Sequence, residues 1–185
     1  MTECRQVLGS ELHYQAMVYS SLRNQGQVPA QQVGMNVKMW ISNLVSDLFK
    51  TLDARKREGF QGGFEPIPDV CLFSPGIEGD WRRRNNRATL RHLLLAIEVK
   101  ASERSGGRLS AREIVFDIEK LAAHRQEAQA RGSTFHPVMM VIDTAPLLAE
   151  RMMGASLKQA QDAARELSVS LLYLSPSETL EAVLG

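Results

Sequence analysis

The run Leu93-Leu94-Leu95-Ala96-Ile97-Glu98-Val99-Lys100 constrains this chain more than any other, together with Phe64-Glu65-Pro66-Ile67-Pro68-Asp69-Val70-Cys71-Leu72-Phe73 before it. Both are short apolar stretches rich in β-branched or aromatic residues and bounded by Gly, Pro and charge, the pattern of buried strands. Side chains on a strand alternate between faces, so Glu98 and Lys100 fall on one side and Ile97 and Val99 on the other. An acid and a base fixed at the end of an otherwise apolar strand are costly to bury unless something compensates them. Asp69, at the head of the other strand, is the natural third member.

Two carboxylates and a lysine meeting at strand ends suit a divalent cation. Hard oxygen donors match Mg²⁺, which keeps several waters and commonly takes one or two protein carboxylates together with a phosphate. Such an ion clamps a phosphodiester and lowers the pKa of a bound water. Lys100 beside it is placed to orient that water or to stabilise developing negative charge.

Pro68-Asp69 followed by Glu98-Val99-Lys100, the only acid-x-Lys triplet in the chain, resembles the signature of the PD-(D/E)XK nuclease superfamily. The order of elements along the chain is loosely similar as well. The resemblance implies an α/β fold that is restriction-endonuclease-like: a three-layer α/β/α sandwich around a mixed sheet of four to five strands, with residues 1–185 as a single domain. It also implies Asp69 and Glu98 as ligands of Mg²⁺ (or Mn²⁺ in its place) and Lys100 as the catalytic lysine. Glu11, on the first helix, matches the acid that many members add from that helix. Gln15 lies one turn further on and faces the same way. A lysine on the helix after the signature strand is another feature of small members, which makes Lys120 a candidate. Its plainer role is a surface pair with Asp117. The expected activity is endo- or exonucleolytic hydrolysis, with DNA ahead of RNA as substrate and a homodimer favoured if both strands of a duplex are cut. The alternative is a non-catalytic module that binds nucleic acid or protein and retains the nuclease fold.

Net charge is only +1, so no global field steers the chain to a polyanion. Charge is concentrated locally. Arg82, Arg83, Arg84, Arg87 and Arg91 fall between Asp80 and Glu98 with no acid among them, beside Trp81. The segment joins the two site-bearing strands; its arginines suit phosphates, and its Trp suits an unpaired base. A solvated charge run is the other reading.

Cys4 and Cys71 form no CxxC or Cys/His cluster, which excludes structural zinc and a disulfide framework. His13, His92, His124 and His136 are scattered, and no GxxxxGK[ST], GxGxxG or GxSxG motif occurs. With neither a secretory leader nor an apolar run of about 18 residues, a cytoplasmic protein without membrane contact is expected.

The remaining pattern predicts a helix from an N-cap at Ser10 to about Asn24, with Leu12, Ala16, Tyr19 and Leu22 as its apolar stripe. A second helix is expected over 41–57. A third begins near Ser110 with Ile114, Val115, Ile118, Leu121 and Ala122 inward, and another covers 147–167, interrupted at Gly154. The stretch 28–40 reads as strand or helix. Residues 137–142 and 169–174 read as strands, 101–107 as a polar flap over the site, and the residues after Ser177 as a short terminal helix.

Overall fold

The computed structural model describes residues 2–78 and 87–182. Among these, six strands form one mixed sheet in chain order: β1 Val33–Met35, β2 Val70–Phe73, β3 Leu93–Ala101, β4 His136–Ile142, β5 Ser170–Leu174 and β6 Thr179–Ala182. β1, β2 and β3 run antiparallel as a meander, β3, β4 and β5 run parallel, and β6 returns antiparallel to β5. The α/β class expected from the sequence is therefore present, with six strands instead of four or five.

Five helices flank the sheet in the described residues: α1 Glu11–Asn24, α2 Asp47–Ala54, α3 Arg87–His92, α4 Ala111–Gln129 and α5 Gly154–Glu166. α4 begins where Ser110 Oγ accepts the Glu113 N–H at 3.2 Å and returns its own proton to the Glu113 carboxylate. Ser10 and Ser46 cap α1 and α2 by accepting the His13 and Phe49 N–H groups. α2, α4 and α5 cover one face of the sheet and α1 covers the other. β4 lies between these layers. Its alternate residues Met139 and Val141 join the core under α4 and α5, while Val138, Met140 and Ile142 join the core under α1. This two-sided burial explains why its sequence is continuously apolar. Among the described residues, no helix is long and apolar enough to cross a membrane.

Four local expectations are corrected. The helix expected over 41–57 spans only Asp47–Ala54. Ile41 exchanges two backbone hydrogen bonds with Phe64, and Asn43 takes a left-handed φ of 52°, so helical spacing in 41–46 is overruled by a cross-chain bridge. The terminal helix is instead β6, because Ser175 and Glu178 close a tight turn that folds the chain back along β5. Gly154 begins α5 and does not interrupt it. In α1 the inward face is rotated: Tyr14 and Gln15 are buried, whereas Leu12 is 63% exposed. The Tyr14 hydroxyl donates to Val7 O and accepts from Gly9 N–H, which fixes that rotation.

The irregular stretch before α2 is held by a buried acid. Glu127 of α4 is fully buried; its Oε1 accepts the Val45 and Ser46 N–H groups at 2.8 Å each, and its Oε2 receives Arg131 at 2.6 Å. Arg131 continues to the carbonyls of Ser42 and Asn43. Glu127→Ala strands that guanidinium and two amides together, and urea unfolding is expected to show a loss of about 3 kcal/mol. Glu127→Gln, which keeps an acceptor, is expected to lose less.

Candidate active site

The antiparallel register pairs Val70 with Ile97, which brings Asp69, the residue before β2, opposite Glu98. Asp69 Oδ2 accepts the Val99 N–H at 2.7 Å, so this carboxylate takes over the β3 backbone where strand pairing ends. Glu98 and Lys100 lie on the α4 side of β3, away from Ile97 and Val99, which join the core under α1.

Lys100 is held from both layers. Its Nζ donates to Glu11 Oε2 of α1 at 3.2 Å and forms an ion pair with Asp117 Oδ2 of α4 at 3.4 Å. Asp117 is only 6% exposed, and its Oδ1 meets Lys120 Nζ at 2.6 Å. The expected Asp117–Lys120 pair exists, but its acid is buried and also reaches Lys100, while Lys120 is half-buried.

The carboxylates divide accordingly. Glu11 and Asp117 neutralise the two lysines. Among the described residues neither Asp69 nor Glu98 has a cation within ion-pair distance. Burial, reinforced by the nearby Asp69 carboxylate, pushes the Glu98 carboxyl up to about 8. Burial likewise raises Asp69 to about 6, against the opposing pull of the Val99 N–H and Lys100. Burial alone would make Lys100 give up its proton more readily, but Asp117 and Glu11 outweigh it and hold the ammonium above its ordinary range.

The end of β3 separates two clefts. One of about 220 Å³ lies on the Glu98 side, lined by Phe49, Phe64, Pro66, Pro68, Lys120 and His124 among others. The other, about 370 Å³, opens on the Lys100 side along Glu11, Ser102, Arg104, Arg108, Phe116 and Asp117. The 101–107 stretch beside the second cleft is tethered: Glu103 Oε2 accepts the Glu11 N–H at 2.9 Å, and Glu150 Oε1 accepts the Gly106 N–H at 2.6 Å.

Of the residues singled out in the sequence, Asp69, Glu98, Lys100, Glu11 and Lys120 come together. Gln15 stands one step away. Its Oε1 accepts from Asn36 Nδ2 at 3.4 Å, and the Asn36 N–H is bonded to the Asp69 carbonyl. Arg82, Arg83 and Arg84 lie outside the described residues. The backbone of Arg87 opens α3, which runs directly into β3, so the arginine segment is not wholly a loop. Arg91 lines a different cleft, with Trp40 and Arg131.

Asp117 is the member that sequence reading passed over. Its signal was present: it lies three residues after Ile114 and four before Leu121, within the apolar stripe of α4, where an unpaired acid has no reason to sit. His124, two turns further along, is also buried, tilted against Phe135 at 4.9 Å, with its Nε2 unpartnered among the described residues.

The donor set is compatible with a small hard cation. No group of three or more His, Cys, Asp or Glu is arranged to hold a metal among the described residues. Two acids with no cation within ion-pair distance among the described residues nonetheless match the usual protein share of a Mg²⁺ site completed by waters and phosphate. Comparison with protein-family models, with curated proteins and with solved structures gives no match for this chain.

Burial lowers His124 to about 3, against 6.5 when it is solvated. The unfolded chain therefore takes up a proton that the fold refuses. The stability this neutral ring allows is full above pH 6.5 and is lost as the pH falls toward 3. The difference in unfolding free energy between wild type and His124→Phe is expected to rise with pH up to about 6.5 and to stay flat above it, as read by urea titrations in a pH series.

Proposed function

We propose that this chain is a metal-dependent nuclease that hydrolyses phosphodiester bonds, with DNA ahead of RNA as substrate, and that its fold is restriction-endonuclease-like. The observation that carries the reading is a pair of neighbouring acids, Asp69 and Glu98, with no cation within ion-pair distance among the described residues, beside a lysine whose own charge is met by other acids. The order α1, antiparallel meander, α4 crossover and parallel β4 agrees with the mixed sheet between helices that the sequence resemblance implies.

Asp69 and Glu98 would hold Mg²⁺, which supplies charge neutralisation at the phosphate and a lowered pKa for water when bound. Asp69 is kept in place by the Val99 N–H, so the carboxylate needs little reorganisation to receive a ligand. Lys100 Nζ hydrogen-bonds the attacking water or a non-bridging phosphoryl oxygen. In-line attack then displaces the sugar oxygen without a covalent enzyme intermediate. Glu11 supports the site from α1 by holding Lys100. The arginine segment ahead of β3 supplies phosphate contacts, and cutting both strands of a duplex would call on two copies.

Two measurements test the reading. Mg²⁺ is expected to raise the melting temperature of the wild type, but not of Asp69→Asn or Glu98→Gln, since a ligand stabilises only the state that binds it. Incubation with plasmid, single-stranded DNA and RNA should give cleavage that EDTA abolishes and that Lys100→Ala lowers by roughly 100-fold or more. Absence of cleavage on every substrate, with no thermal response to Mg²⁺, would remove the nuclease reading.

A further inference from the structure

The Lys100 ammonium at the end of β3 reaches acids on helices from opposite layers of the fold. Lysine carries a compact charge on a flexible four-carbon stem and does not orient itself as the arginine fork does. Here one N–H is given to Glu11 of α1, and the charge faces Asp117 of α4. Asp117 splits its carboxylate, one oxygen toward Lys100 at 3.4 Å and the other toward Lys120 at 2.6 Å. Lys120 is itself steadied over the Phe116 ring, 5.7 Å from its centroid. An exposed pair of this spacing on a helix would be weak and dispensable. Asp117 is buried in the apolar stripe of α4, where a carboxylate is tolerated only if its charge is met. Lys120 alone meets that charge, so pairing within the helix does not account for the second contact to Lys100.

Resting on the nuclease reading, we propose that Asp117 is a positioning residue: together with Glu11 it fixes the Lys100 ammonium so that a remaining N–H is presented to the reacting phosphate or water, while Lys120 keeps Asp117 charge-balanced. Asp117 neither holds the cation nor touches substrate in this assignment. Its effect passes through Lys100.

The test uses the full chain on whichever nucleic acid the wild type cleaves with Mg²⁺. Asp117→Asn, Asp117→Glu, Lys100→Ala and Asp117→Asn/Lys100→Ala are compared by steady-state kinetics, and Mg²⁺ affinity is measured by calorimetry. Asp117→Asn is expected to lower kcat roughly 10- to 100-fold, the scale of a misplaced reacting group, with KM within about twofold. Mg²⁺ affinity should stay near wild type, Asp117→Glu should recover part of kcat, and the double variant should be no slower than Lys100→Ala alone. The assignment is overturned if kcat of Asp117→Asn stays within about twofold of wild type, if the two single losses multiply in the double variant, or if Mg²⁺ affinity falls as far as in Asp69→Asn. Should Asp117→Asn fail to fold, the same cycle is run with Asp117→Glu, where a displaced carboxylate must still slow the reaction only when Lys100 is present. A wild type that cleaves no substrate and shows no thermal response to Mg²⁺ overturns the nuclease reading and this assignment together, one that responds to Mg²⁺ but cleaves nothing overturns this assignment, and an active wild type with an indifferent Asp117→Asn overturns this assignment alone.

Discussion

The hydrogen bond from the Val99 amide to Asp69 underlies the rest of the arrangement. At the end of the β2–β3 ladder the next backbone N–H of β3 would go unpaired, and an orphaned buried amide is costly. A side-chain carboxylate takes the place of the missing strand partner. That substitution sets where β2 begins, and the antiparallel register then brings Asp69 opposite Glu98. Two carboxyl groups are pressed together because the backbone demands the first and the strand alternation delivers the second. A slip of one residue would turn Glu98 and Lys100 toward the core under α1 and Ile97 and Val99 toward the clefts.

α4 plays a complementary part. Asp117, Lys120, His124 and Glu127 recur along one line beside the apolar stripe's aliphatic residues, and three of the four are buried. The line serves two ends of the molecule. Near its start, Asp117 and Lys120 attend the site; near its end, Glu127 gathers the irregular chain before α2. The burial that makes α4 a pillar of the core also removes water from the charges it carries, so each ion pair on it responds more strongly to the loss of a partner than a surface pair would.

Much of this was legible in the sequence because it is local. Ser10 and Ser110 begin their helices where capping chemistry puts them, and the alternation in 93–100 gives the facing of Glu98 and Lys100. β4 announces its two-sided burial by continuous hydrophobicity. What escaped depends on contacts between distant segments. Helical spacing in 41–46 is real, but the Ile41–Phe64 bridge and the Glu127 carboxylate are tertiary facts that no local pattern encodes. The stripe of α1 misled for a related reason: turning Glu11 toward Lys100 and Tyr14 toward Val7 leaves Leu12 in water, a polar requirement overriding an apolar one. β6 reads as helix by composition and becomes strand because β5 offers it an edge.

The two acids that hold Lys100 belong to layers of unequal permanence. α4 buries one face from its first residue to Ala128 against the sheet, α2 and α5. α1 is the one helix described on its face, and its apolar residues Met17, Val18, Tyr19 and Leu22 are only partly covered. Local opening draws first on segments with few buried apolar contacts. Opening of α1 would release Glu11 and the Glu11 amide's bond to Glu103, while Gly106 would keep 101–107 bonded to Glu150 and Asp117 would keep its place in α4. The lysine thus takes one anchor from a buried acid of the core and the other from a half-buried acid on the more exposed helix.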